Sequence, residues 1–158
     1  MNKQIKKGFG FGLISGVITT LGMMVGLQAG TNSRLVVLGA ILSIAVADAF
    51  SDSLGVHISE EAENQHNTKE VWQATIYTFI SKFIFALTFL VPVLLLPLGW
   101  AIIASVVWGL LLIAVFSYFI GKNGAEKKPW PVMLEHLFIA IVVIFITHLV
   151  GDFISKLS

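Results

Sequence analysis

The stretch ADAFSDSLGVHISEEAE, residues 47–63, is the part of this chain that most restricts its fold. Asp48 and Asp52 lie four residues apart in an otherwise apolar segment, a spacing that places both side chains on one face of a helix. A carboxylate in a membrane-spanning helix is costly and is usually paired or functional. The stretch therefore predicts a helix that handles ions.

The composition of the whole chain is that of a membrane protein. Of its 158 residues, 56% are hydrophobic and 12% are charged, whereas soluble domains carry about 25% charged residues. The absence of cysteine excludes disulfides and thiolate metal ligands. The net charge of +1 gives no indication of nucleic-acid binding. We find no nucleophile–base set and no cofactor motif, so neither an enzyme nor a permanently bound cofactor is expected.

Five segments are long and apolar enough to cross a bilayer as helices, which needs about 20 residues each. The predicted fold is therefore all-α, a single domain (residues 1–158) of five transmembrane helices over residues 8–30, 35–57, 72–97, 99–121 and 131–154. Pro92 predicts a kink in the third span. A cytoplasmic N-terminus puts seven loop lysines on the cytoplasmic side and two basic residues opposite, which favours that orientation. The expected location is a multi-pass position in a membrane, the cell membrane in a prokaryote.

A run of acidic residues and histidines follows the second span. With a period of 3.6, the face that carries Asp48 and Asp52 continues through Glu63 to Glu70, so a helix running past residue 57 would carry an acidic track. The candidate residues for metal capture are His57, Glu60, Glu61, Glu63, His66 and Glu70. A solvated acidic loop explains residues 60–70 equally well, but it does not explain the two aspartates.

Ionisable residues in the later spans are candidates for charge pairing or proton transfer. Lys82 lies about 15 Å along its helix from Trp72, near mid-membrane and at a depth close to that of Asp48. A purely structural Lys82–Asp48 ion pair is therefore an alternative role for both residues. In the last span the candidates are Glu135, His148 and Asp152. His148 and Asp152 are again four apart, and they are either interfacial side chains or a proton site at the far end.

The first span is rich in glycine at four-residue spacing, as in Gly12/Gly16 and Gly22/Gly26/Gly30. Small residues at this spacing let two helices approach closely. The pattern is compatible with tight packing inside one subunit and with a dimer seam, and spacing does not distinguish the two.

Two motifs together resemble a known family. The run GLISGVITTLGMMVGL (12–27) and the stretch 47–63 are similar to the first-span and second-span motifs of the vacuolar iron transporter family. Residues 89–97 and 135–154 are similar to its third and fifth spans. The chain resembles a short member without the long cytoplasmic metal-binding insert, which is reduced here to residues 58–71.

The resemblance implies a five-helix homodimer that exchanges Fe²⁺ or Mn²⁺ for protons along a pathway at the subunit interface. It aligns the family's first-span aspartate with Ser15 and its second-span methionine ligand with Asp52. A small residue near that methionine in the family is aligned with Asp48. The metal ligands it suggests are Asp48 and Asp52, with Ser15, Met23 and Met24 as first-span contributors.

The expected function is proton-coupled export or sequestration of a divalent metal from the cytoplasm. The expected partners are divalent metal ions, protons, the lipid bilayer and a second copy of the chain. Two alternatives stay open: a non-transporting assembly or regulatory subunit of a membrane complex, and a transporter of another cation or small solute on the same scaffold.

Overall fold

The computed structural model describes residues 3–63, 67–123 and 128–157. Within them the chain forms seven α-helices and one π-helical turn. In chain order these are α1 (Lys3–Thr31), α2 (Arg34–Ser43), the π turn (Ile44–Asp48), α3 (Ala49–Ala62), α4 (Thr68–Thr88), α5 (Leu90–Leu95), α6 (Leu98–Asn123) and α7 (Pro129–Ser155). The all-α prediction is confirmed.

Five helical stretches of the described residues are long and apolar enough to span a membrane, as the sequence predicts. They are Lys3–Thr31, Arg34–Ala62, Thr68–Leu95, Leu98–Asn123 and Pro129–Ser155. The second stretch therefore runs past residue 57, and it ends at Ala62. The third begins at Thr68 because Asn67 and Glu70 form a reciprocal capping box at its start.

The predicted acidic face is wrong beyond Glu63. The helix that carries Asp48 and Asp52 ends at Ala62, and Glu70 lies in the first turn of α4, where its side chain accepts a hydrogen bond from the Asn67 backbone N–H. The period of one helix cannot be extended through a break in that helix.

The third stretch is interrupted at Phe89, three residues before Pro92. Proline has no N–H with which to bond the carbonyl four residues earlier, which is that of Thr88. The helix accordingly ends at Thr88 and resumes at Leu90, with the Phe89 N–H bonded to the Ala86 carbonyl at 3.2 Å.

Helix α1 packs tightly against two neighbours through its glycines. A Cβ atom on Gly12 would collide with the Thr78 carbonyl of α4, and one on Gly26 would lie 3.1 Å from the Thr147 carbonyl oxygen of α7. The four-residue glycine spacing therefore serves packing within this chain.

One flank of α1 is left uncovered by these contacts. Its residues recur every four positions and are all exposed or half-buried: Lys7, Phe11, Ser15, Thr19 and Met23. We call this row the α1 flank. The opposite side of α1 is buried in the core, where Leu13, Val17 and Leu21 pack with Phe89 and Ile113.

Candidate functional site

Three helical stretches bring four polar side chains together in the apolar part of the bundle. The Nζ atom of Lys82 in α4 lies 2.7 Å from the Asp48 Oδ2 atom and is also paired with the Asp52 Oδ2 atom. It donates a further hydrogen bond to the Ser15 Oγ atom at 3.0 Å. The Ser15 hydroxyl in turn donates to the Asp52 Oδ2 atom at 2.6 Å. We call these four residues the Lys82 cluster.

The glycines of α1 position the lysine. A Cβ atom on Gly16 would lie 3.0 Å from Lys82 Cγ and 3.2 Å from Lys82 Cα. The lysine stem therefore lies directly against the α1 backbone, and its ammonium reaches the Ser15 hydroxyl one residue earlier. Lys82 is completely buried.

A π-helical turn ends at the first of the two aspartates. It covers Ile44–Asp48, and regular α-helix begins at Ala49. A π turn inside an α-helix is rare and is frequently found at functional sites. Asp48 and Asp52 remain four residues apart and point to the same Nζ atom. Nothing in the sequence analysis anticipates this turn.

The carboxylates of the cluster are more accessible than its lysine. The side chains of Asp48 and Asp52 are 31% and 23% exposed, whereas that of Lys82 is 0% exposed. Asp52 lines a groove of about 550 Å³ together with Lys7, Phe11, Ser51, Gly55, Val56 and Ser59. A water molecule occupies about 30 Å³ in the liquid. The groove therefore has room for several water molecules beside Asp52, and its lining includes Lys7.

Two more cavities follow the α1 flank. One is bordered by Gly10, Phe11, Ile14, Ser15, Ile120 and His136. The other lies between α1 and α7 and includes Thr19, Met23, Thr31, Val143 and Thr147. The His136 Nδ1 atom is 2.8 Å from the Ser117 Oγ atom, and the sequence analysis gave this histidine no role. Cavities thus border the α1 flank along its whole length, from Lys7 to Met23.

The predicted capture residues do not converge on one point. Lys7 is paired with Glu60 and lies 3.5 Å from the Glu63 Oε1 atom. The His57 Nε2 atom lies 3.5 Å from the Glu61 Oε1 atom. Glu70 caps α4, and His66 lies outside the described residues. The ion pairs of Lys7 could not be predicted from local sequence, because its partners are more than 50 positions away.

His57 is tied to the third stretch rather than placed in a ligand cluster. Its Nδ1 atom is 2.9 Å from the Thr75 Oγ1 atom, and its ring lies edge-on to that of Trp72 with centroids 4.8 Å apart. These contacts fasten α3 to α4 near the end of the second stretch.

The two methionines are not brought to the cluster. Met24 is buried in the core, whereas Met23 is exposed on the α1 flank. Met23 is eight residues from Ser15, or about 12 Å along the helix.

The candidates in α7 are also separate from the cluster. Glu135, His148 and Asp152 are all exposed. In the part of the chain that the structure describes, none of them is hydrogen-bonded or ion-paired with the Lys82 cluster. No direct contact therefore connects these predicted proton-transfer residues with the Lys82 cluster in the described part of the chain.

The acceptors of the Lys82 cluster are all oxygen atoms. Over residues 3–63, 67–123 and 128–157, no three histidine, aspartate or glutamate side chains are grouped as a metal site. The Lys82 cluster offers two carboxylates and one hydroxyl, which are hard oxygen ligands of the kind that Mg²⁺ and Mn²⁺ prefer. The pairing of Lys82 with Asp48, which the sequence offered as an alternative role for both residues, is present, and Asp52 is a second partner.

The fold and the site define a helical bundle of membrane-protein type with an ion cluster inside it. No protein-family model matches the chain, and no curated protein matches it.

Proposed function

We propose that this chain is a multi-pass membrane transporter that exchanges a divalent cation for protons at Asp48 and Asp52. The observation that carries the proposal is the meeting of two partly exposed carboxylates at one point in an apolar helical stretch, with Asp52 lining a groove. A carboxylate in such a position is rarely placed there for packing alone.

The exchange follows from the charge balance of the cluster. Two ionised carboxylates carry two negative charges and Lys82 carries one positive charge, so a proton can balance the remaining charge while no cation is bound. A bound divalent cation favours the ionised form of both carboxyl groups and releases that proton. Cation entry and proton exit at the same oxygens are therefore coupled.

The cargo we propose is Mn²⁺ or Fe²⁺. The cluster supplies oxygen ligands without thiolates, and this suits harder divalent ions better than Cu⁺. The resemblance of residues 12–27 and 47–63 to the vacuolar iron transporter family points to the same cargo.

The route we propose follows the α1 flank. The groove at Asp52, the cavity at Ser15 and the cavity at Thr19 succeed one another along it. A second copy of the chain placed over this flank would close it on the open side, which fits the homodimer that the resemblance implies.

The orientation we propose has the N-terminus in the cytoplasm. The excess of loop lysines on that side supports it, and it makes the groove beside Lys7 the cytoplasmic mouth. Single cysteines at Thr31, Asn67 and Lys156 can be labelled without background because the chain has none of its own. Asn67 should react from the cytoplasmic side and the other two from the opposite side. Reaction of Asn67 and Lys156 from the same side would contradict five spans.

Flux through reconstituted protein tests the transport proposal. The full chain is purified into liposomes that contain a metal-sensitive dye, and Mn²⁺ or Fe²⁺ is added with and without an imposed pH gradient. We expect metal entry above that of protein-free liposomes, faster when the gradient drives protons the opposite way. Flux equal to that of protein-free liposomes for both metals would reject the proposal.

A second function is favoured by the completeness of the cluster. The three N–H groups of Lys82 have three oxygen acceptors, in Asp48, Asp52 and Ser15, which is also what a purely structural buried lysine requires. A non-transporting membrane subunit with this cluster as an internal fastener is therefore the alternative. It predicts neither metal flux nor protection of the folded protein by Mn²⁺, whereas a transporter predicts flux and protection.

A further inference from the structure

The ammonium of Lys82 lies at the position that a bound cation would take. Its Nζ atom is paired with the Oδ2 atoms of both aspartates and with the Ser15 Oγ atom. Three oxygens thus converge on a single positive centre. Lys82 is fully buried, whereas both carboxylates are partly exposed and Asp52 also lines the groove.

We propose that Lys82 is a built-in competitor that a cargo cation must displace, and that this competition selects divalent over monovalent cations. The inference rests on the proposed function, because it concerns what happens at Asp48 and Asp52 when the cargo binds. It assigns Lys82 a role in specificity that the family resemblance does not supply.

The charge balance of the cluster supports the selectivity. Two ionised carboxylates carry two negative charges, and the lysine neutralises one of them. A monovalent ion offers the carboxylates no more charge than the ammonium already in place, so it has no electrostatic advantage. A divalent ion doubles the Coulomb attraction at the same distance. Only the divalent ion is therefore able to replace Lys82 efficiently.

Displacement requires a side-chain movement rather than a helix movement. A lysine side chain has a flexible four-carbon stem, and its ammonium is a compact charge with no fixed bonding plane. The cargo approaches from the groove, whose lining includes Asp52 and not Lys82. Lys82 can therefore yield the Oδ2 atoms while its backbone stays packed on Gly16.

Binding of Mn²⁺ to the purified full chain tests the competition directly. Mn²⁺ is titrated into the parent protein, Lys82→Met and Lys82→Arg, and the free ion is measured by its electron paramagnetic resonance signal. We expect Lys82→Met to bind Mn²⁺ at least about tenfold more tightly than the parent, because the competing charge is gone. Lys82→Arg, which keeps that charge, should not bind more tightly than the parent. Lys69→Met, at an exposed lysine of the same helix, is the matched control and should bind like the parent.

Sodium competition measures the selectivity. In the parent, about 150 mM Na⁺ should leave Mn²⁺ binding nearly unchanged, beyond the general screening seen equally in Lys69→Met. In Lys82→Met the same sodium concentration should weaken Mn²⁺ binding several-fold. Equal sodium sensitivity in the parent and Lys82→Met would overturn the selectivity role.

A second measurement covers the case in which Lys82→Met does not fold. The parent is treated with a small amine-modifying reagent, and Lys82 is followed by mass spectrometry with and without saturating Mn²⁺. Displacement predicts that modification of Lys82 rises with Mn²⁺ while that of Lys69 stays constant. Unchanged or reduced modification of Lys82 would overturn the proposal.

The outcomes separate this inference from the proposed function. If the parent transports Mn²⁺ but Lys82→Met binds it no more tightly, the competition is refuted and transport stands. If neither the parent nor Lys82→Met binds or transports Mn²⁺, the proposed function fails as well. If Lys82→Met binds Mn²⁺ tightly and the parent does not transport it, the competition is supported and transport is refuted.

Discussion

Two clusters lie along the second helical stretch and its end. In each of them one lysine from another stretch lies between two carboxylates. In the Lys82 cluster the lysine is 0% exposed and Asp48 is 31% exposed. In the cluster of Lys7, Glu60 and Glu63, which we call the Lys7 cluster, the lysine is 46% exposed and Glu60 is 1% exposed. The order of burial is reversed.

This reversal indicates different roles. In the Lys7 cluster the buried partner is an anion, and the cation faces the surroundings, so the pair fastens the end of α3 to the start of α1. In the Lys82 cluster the buried partner is the cation, both anions are partly exposed, and Asp52 lines a groove. An exposed anion next to a groove is available to a cation, whereas an exposed lysine is not. This difference supports the binding role that we propose for the Lys82 cluster and an attachment role for the Lys7 cluster.

Removal of either lysine should destabilise the protein. Lys82→Met leaves two carboxylates facing one another without a counter-charge, and breaking a buried ion pair in this way costs about 3–5 kcal/mol. Lys7→Met leaves Glu60, which is 1% exposed, without its lysine and should cost a similar amount. Unfolding of both variants by denaturing detergent, followed by circular dichroism, gives the two values. Parent-like stability of either variant would contradict the corresponding ion pair.

Mn²⁺ should sharpen the same comparison. A cation that binds only the folded state raises its stability, so saturating Mn²⁺ should recover part of the loss in Lys82→Met. It should leave the stability of Lys7→Met relative to the parent unchanged. Equal recovery in both variants would point to nonspecific binding.

The helix contact that places Lys82 is the next target. Gly12→Ala puts a methyl group into the Thr78 carbonyl and should cost about 1–3 kcal/mol by overpacking. Gly55→Ala is the control, since no atom lies within 4 Å of a Cβ there. It should be neutral or slightly stabilising in a helix. A neutral Gly12→Ala would show that α1 and α4 are further apart than described.

The smallest effect is expected at the far end of α3. Changing Glu60, Glu61 and Glu63 together to Gln should raise the Mn²⁺ concentration for half-maximal flux about two- to threefold, because these charges attract cations but are engaged by Lys7 and His57. Maximal flux should change less. Complete loss of flux at saturating Mn²⁺ would place these residues in the transport site itself.

Much of the fold was predictable from single residues and their spacing. The five helical stretches follow from hydropathy, and the break at Phe89 follows from the missing N–H of Pro92. The Lys82–Asp48 pair follows from counting the rise along two helices, since both residues fall at a similar depth. These predictions depend on local sequence or on one-dimensional geometry, which is why they hold.

The remaining features depend on contacts between distant segments. The sequence does not indicate that Lys7 pairs with Glu60, because that pair forms only after α1 and α3 have packed. The π turn before Asp48 has no residue signature of its own, so regular helix was expected there. Glu70 was assigned to the wrong helix because a periodic pattern does not show where a helix stops. The glycine spacing left packing within one subunit and a dimer seam open, and the partner helices of α1 came only from the structure.

The central claim is that Asp48 and Asp52 exchange a divalent cation for protons. It is tested most directly by recording Mn²⁺ entry and internal pH together in liposomes that contain the parent, Asp48→Asn/Asp52→Asn or the control Glu135→Gln/Asp152→Asn. The control removes two exposed carboxylates from α7 and leaves the cluster intact. We predict that Mn²⁺ entry drives proton exit in the parent and in the control, and that both fluxes fall to the protein-free level in the Asp48→Asn/Asp52→Asn variant. Parent-like fluxes in that variant, with the same dependence on pH, would contradict the account.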